Sequence, residues 1–148
     1  MKKTLITLST LLFLLPLAMQ AQLRKIPASV TEAFSEKYPA AEHVSWKDKI
    51  VSFAAVFEIN DTTCEARFTS DGNWEQTEIT IGEEQIPAAV KDGLNKSKYA
   101  DWKATEWYRL ELPKDSLQYR IVVAKNDIQK KNLLFNKEGR LLSDKITF

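Results

Sequence analysis

A nine-residue pattern occurs twice in this chain, and it constrains the fold more than any other feature. Ile26-Pro-Ala-Ser-Val-Thr-Glu-Ala-Phe34 aligns with Ile86-Pro-Ala-Ala-Val-Lys-Asp-Gly-Leu94 at an offset of 60. Further on, Phe68-Thr-Ser-Asp-Gly72 aligns with Phe135-Asn-Lys-Glu-Gly139 at an offset of 67, and Ile79 meets Ile146 at the same offset. The change of offset places roughly seven additional residues in the second copy, near Leu110 to Ser116, where Pro113 and Asp115 mark a longer turn. Two segments in the same order, both with turn chemistry in register, predict a tandem duplication. Repeat one then covers about 26–81 and repeat two about 86–148.

Each copy opens with a helical period. Ile26, Val30, Phe34 and Tyr38 recur every four residues, one apolar stripe on a 3.6-residue turn, and Ile86, Val90 and Leu94 repeat it. Pro27 and Pro87 suit a helix start, where a missing N–H costs nothing, and Pro39 ends the first helix. Gly93, where the first copy has Ala33, predicts a close approach to a sheet. Strand periods follow. Phe53, Ala55, Phe57 and Ile59 form one apolar face, as do Cys64, Ala66 and Phe68, then Tyr119, Ile121 and Val123, then Leu133 and Phe135. Asn60-Asp61, Asp71-Gly72 and Glu138-Gly139 read as turns, with Trp74 to Ile81 and Leu141 to Phe148 as strands after the last two. Segments near Val44 to Trp46 and Ala104 to Leu112 add one strand each. The expected fold is α+β: duplicated helix-plus-strand units forming a curved antiparallel sheet backed by helices.

The first 21 residues read as an export signal: Lys2 and Lys3, an apolar run from Leu5 to Leu17, then small residues at Ala18 to Ala21. That run is shorter than the roughly 20 residues a membrane span needs, so no stable insertion is expected after cleavage. No cysteine follows it that could carry a lipid. Removing 21 of the 148 residues leaves 127, and the loss of two lysines turns a net charge of +1 into −1. The mature domain would cover 22–148, in the periplasm or secreted. So small a charge gives no electrostatic footprint for nucleic acid. Cys64 is the one cysteine, so no internal disulfide can form and the core alone must hold the fold; its parity buries it.

The order helix, Tyr38-Pro39, Val44-Ser-Trp46, Phe53 to Phe57, Phe68 to Gly72, Trp74, Thr77-Glu78 and Ile86-Pro87 resembles the PepSY-like family, described as similar to β-lactamase-inhibitory proteins. The likeness covers about Ile26 to Phe148 in two copies. It implies an exported protein whose open concave sheet face grips an enzyme. Those inhibitors are usually disulfide-bonded, which this chain cannot be, so the departure bears on inhibition and not on architecture. A second relation, to true PepSY domains, implies protease regulation at the cell envelope.

Catalytic chemistry is not expected. The one histidine, His43, has no ligand partner nearby in sequence and reads as a surface residue. The four glycines are scattered, and no phosphate loop, nucleophile elbow, zinc-spaced pair or calcium loop occurs. Glu83-Glu84 and the neighbours Glu75 and Glu78 read as solvated, as does the polar turn from Lys125 to Lys131. No cofactor and no metal are expected.

What remains is surface. If the Phe-bearing parity faces the helices, Glu65, Arg67, Gln118 and Arg120 stand on the open face. Trp74 joins Gln76 and Glu78 there, a tryptophan among charges that suits a binding hot spot, unless a bulge turns it inward to cap the core. Trp46 and Trp107, matched at an offset of 61, are assigned to core, and Trp102 has no counterpart. The leading expectation is a monomeric, non-enzymatic module that binds a protein partner of the cell envelope through this face. The alternative is a small-ligand or envelope sensor protein with a pocket between helix and sheet.

Overall fold

The computed structural model describes residues 24–147; the export-signal reading falls outside them. Among these residues two helices, each followed by four strands, run in a simple order: α1 (Ala28–Lys37), β1 (Glu42–Asp48), β2 (Ser52–Ile59), β3 (Thr62–Thr69), β4 (Trp74–Thr80), α2 (Ala88–Asn95), β5 (Lys103–Leu112), β6 (Ser116–Ala124), β7 (Lys130–Asn136) and β8 (Leu141–Thr147). A single 3-10 turn, Glu83–Gln85, leads into α2. All eight strands form one antiparallel sheet, and their order in space is their order in sequence.

Cross-strand register shows that both helices share one face. The line Phe57–Cys64–Ile79–Arg109–Tyr119–Phe135 runs through β2 to β7 without changing side. Its ends belong to two separate cores. Val30 and Phe34 of α1 pack on Phe53, Phe57, Ala66 and Phe68, with Cys64 buried among them. Val90 and Leu94 of α2 pack on Tyr119, Ile121, Leu133 and Phe135. Trp46 flanks the first core, its ring centroid 5.3 Å from that of Phe34, and Trp107 flanks the second. Trp102 stands edge-on to Tyr99 at 5.2 Å. The two cores are joined by the β4–β5 ladder, which runs only from Thr77↔Glu111 to Thr80↔Tyr108 and is the shortest in the sheet.

The helices are anchored by turn glycines. Gly72 and Gly139 have φ of +87° and +84°, a region costly for any side chain. Each lies against a helix's first turn: a Cβ on Gly72 would strike the Ser29 carbonyl, and one on Gly139 the Ala89 carbonyl. The same packing explains Gly93, whose Cα faces the Gly139 carbonyl in the β7–β8 turn. The approach predicted for Gly93 is thus to a hairpin end of the sheet.

At the β1–β2 tip the Val51 N–H donates to the Lys49 carbonyl at 2.9 Å around Ile50, whose φ is +72°. This is a γ-turn of the strained, positive-φ kind, centred on a β-branched residue. His43, placed in a connector from the sequence, sits near the start of β1 at a register shift and is exposed.

Candidate functional site

The face opposite the helices carries six of the seven residues named from the sequence, and five of them come together. Glu65 and Arg67 on β3, Gln76 and Glu78 on β4, and Arg120 on β6 line one depression of about 410 Å³. Leu110, Leu134, Asn132 and Lys145 are among the other residues that border it, so residues from β3 to β8 face a common space. Six strands laid flat would spread about 24 Å, so a shared depression requires the sheet to bend towards this face.

Gln118 points to the same face but pairs with Leu110 and Asn136, nearer the hairpin turns, and borders a smaller cavity with Lys114 and Lys137. Trp74 is on the wrong side for the expectation that set it with Gln76 and Glu78. Phe68 pairs with Trp74 while Arg67 pairs with Gln76, so Glu75 is an extra residue. That bulge reverses the parity of everything before it. Trp74 therefore lies on the helix face, with Lys37 Nζ 3.9 Å from its ring centroid and its Nε1–H donated to Thr77 Oγ1 at 2.9 Å. Tyr38 shares that hydroxyl, which satisfies the buried Thr77; burial pushes the Tyr38 pKa up.

Arg120 organises the depression. Its Nε donates to Glu78 Oε2 at 2.7 Å, its Nη2 to Glu78 Oε1, and its Nη1 to Asn132 Oδ1 at 2.8 Å. The flat guanidinium lies 3.8 Å from the Tyr108 ring centroid. Burial alone would lower the Arg120 pKa, but the Glu78 carboxylate more than offsets it and the guanidinium is held charged. Burial and the Glu106 carboxylate raise the Tyr108 phenol in turn. Nearer β1, Glu65 is approached by Lys47 at 2.9 Å, Lys49 at 3.5 Å and Arg67 at 4.0 Å. Burial would raise the Glu65 pKa, and the lysines outweigh it, so the carboxyl stays below its ordinary value. Arg67 Nε is buried without an acceptor.

Tyr108, Leu110, Asn132, Leu134 and Lys145 were missed from sequence. Their signal was present as the parity opposite Leu133 and Phe135, but it had not been carried across the register from β6 to its neighbours.

Among the described residues no group of three His, Cys, Asp or Glu side chains is placed to hold a metal ion, and no helix is long and apolar enough to cross a membrane. Cys64 is only 6% exposed, and burial raises its thiol pKa, which makes it a poor nucleophile.

The family model described as "Putative beta-lactamase-inhibitor-like, PepSY-like" matches residues 51–143, from the β1–β2 turn into β8. The chain belongs to the PepSY-like family. Solved structures agree with this PepSY-like architecture. A protein of Bacteroides eggerthii described as "putative periplasmic" is 25% identical with a TM-score of 0.75, over 82% of this chain and 89% of that one. A BLIP-like protein of Bacteroides fragilis is 25% identical with a TM-score of 0.71, over 85% and 89%. A DUF2874 family protein of Bacteroides uniformis shares the fold at 22% identity and a TM-score of 0.74, over 81% and 88%. None of these descriptions names a catalytic activity. No curated protein matches this PepSY-like chain in sequence.

Proposed function

We propose that this PepSY-like protein is an exported, non-catalytic module that binds a protein partner of the cell envelope through the open face of its sheet. The observation that carries this reading is the depression across β3 to β8, where Glu65, Arg67, Gln76, Glu78 and Arg120 converge. A standard interface takes about 800 Å² from each partner, an area an eight-stranded face can offer. Periplasmic placement draws support from the Bacteroides eggerthii neighbour and from the signal-like first 21 residues. Inhibition of an envelope enzyme is the form of binding that the family description and the BLIP-like neighbour suggest. The same reading takes the chain as a tandem duplication. It is supported by the offset of 67 shared by Gly72 and Gly139, whose carbonyl neighbours Ser29 and Ala89 are themselves 60 apart.

The test is capture from an envelope extract by the protein and by an Arg67→Ala/Gln76→Ala variant. Loss of the captured species in the variant, with its unfolding midpoint unchanged, is expected. Equal capture by both would remove this face from consideration.

A second reading, a small-ligand or sensor protein, draws on a cavity of about 340 Å³ between the two cores, bordered by Tyr38, Cys64, Ile79 and Arg109. Against it, Phe53, Phe57, Phe68 and Phe135, which would have lined an empty pocket, are packed with almost no exposure.

A further inference from the structure

The charges around the open-face depression do not balance. In the lining two carboxylates, Glu65 and Glu78, face three cations, Arg67, Arg120 and Lys145, and the rim adds Lys47 and Lys49 against Glu106. Both carboxylates are already engaged. Glu78 is closed by the paired N–H groups of Arg120, and Glu65 takes three cations at once. Arg67 has only the distant Glu65 contact at 4.0 Å and leaves its Nε–H without an acceptor. Lys145, across the depression on β8, forms no ion pair with a described residue. Glu106, the next carboxylate on this face, accepts the Tyr108 hydroxyl and stands outside the lining.

Resting on the reading of this face as a protein-binding surface, we propose that the segment it receives is acidic, with Asp or Glu carboxylates seated on Arg67 and Lys145. The match is one of sign: a carboxylate gives the exposed end of the Arg67 guanidinium an acceptor nearer than Glu65 at 4.0 Å, and neutralises the surplus cation on β8. Arg67 on β3 and Lys145 on β8 are separated by five inter-strand gaps, about 24 Å, and by a register offset of about six residues, roughly 20 Å along the strands, so by about 31 Å along the sheet at most. An extended segment gains about 3.3 Å per residue, so up to about nine residues reach from one to the other. Leu110 and Leu134 between them give the same segment an apolar floor. A basic segment would meet five cations, with both carboxylates already paired, and pay for the repulsion.

The test selects phage-displayed random peptides of about twelve residues on the immobilised protein, on Arg67→Ala/Lys145→Ala and on Arg67→Glu/Lys145→Glu. Matching urea midpoints for all three keep the comparison to binding. The expected result is enrichment of Asp- and Glu-rich peptides. Their binding should weaken about tenfold for each cation removed and fall as salt rises. On the charge-reversed variant the enriched set should turn basic. Neutral or basic peptides on the unaltered protein, lost in the Ala variant, would overturn the acidic assignment while leaving the binding face standing. Acidic peptides held equally by all three proteins would overturn it as well. If no enriched peptide responds to either variant, the acidic segment and the open-face reading fail together.

Discussion

Glu78 on β4 and Arg120 on β6 meet across the intervening strand β5, with both oxygens of the carboxylate taken by N–H groups of one guanidinium. Each side chain is 22% exposed, so the pair is shielded but not dry. Only a planar fork satisfies Glu78, reaches Asn132 and lies flat on Tyr108 at the same time. Arg120→Lys is therefore expected to cost about 1–2 kcal/mol in urea unfolding. Replacing both partners, as Glu78→Gln/Arg120→Met, should cost less than the sum of the two single changes, because neither charge is left alone.

Gly93→Ala should destabilise the protein although alanine is the better helix former by about 1 kcal/mol. The new Cβ would meet the Gly139 carbonyl, a backbone atom that cannot swing aside. A net loss of about 2 kcal/mol is expected by thermal or urea unfolding, the order of other overpacked sites.

Ile50→Gly should act in the opposite direction. Ile50 is 86% exposed, so little packing is lost, and its positive φ is relieved. Relief of about 1–3 kcal/mol of strain, less the added chain entropy of glycine, leaves a gain of about 1 kcal/mol in the unfolding free energy.

Acid should weaken the fold through Glu65. Its folded pKa lies below the unfolded value, so its contribution is complete above the ordinary carboxylate range near 4.3. That contribution is lost as pH falls through the lowered folded value. Glu65→Gln should flatten the stability-against-pH curve in that window and lower it by a constant amount at neutral pH, where the lost contribution is complete. Asp144, held down by the Tyr99 hydroxyl and Lys98, has the same sign at the far edge of the sheet.

Cys64 should react with a thiol reagent only as fast as the protein opens. Burial withdraws the sulfur and raises its pKa together, so native labelling should be slow and urea should accelerate it. Fast native labelling would contradict its place beside Ala66 and Phe68 in the first core.

The two helices, the turns and the strand faces were legible in sequence because each rests on a local period. Val30 and Phe34 face the sheet for the reason their four-residue spacing gives, and Gly72 and Gly139 turn where the sequence placed turns. The site was legible in part. Glu65, Arg67, Gln76, Glu78 and Arg120 follow strict alternation, and alternation held between them. Trp74 lies beyond a bulge, and one inserted residue, Glu75, is invisible to a period-two argument. Tyr108 and Lys145 depended on register between strands, which no single strand encodes. Arg109 and Glu111 stand on the helix face against the usual polarity, because the seam between the cores leaves that stretch of β5 uncovered.

That seam also sets how the molecule comes apart. Every strand pairs with its neighbours in sequence, so each half can zip up from local hairpins without long loop closures. The short β4–β5 ladder then joins two units that each keep a helix and a core of their own. Its amides should be the first in the sheet interior to exchange with solvent, exposing a breach line at the midpoint of the open face while both flanks stay closed.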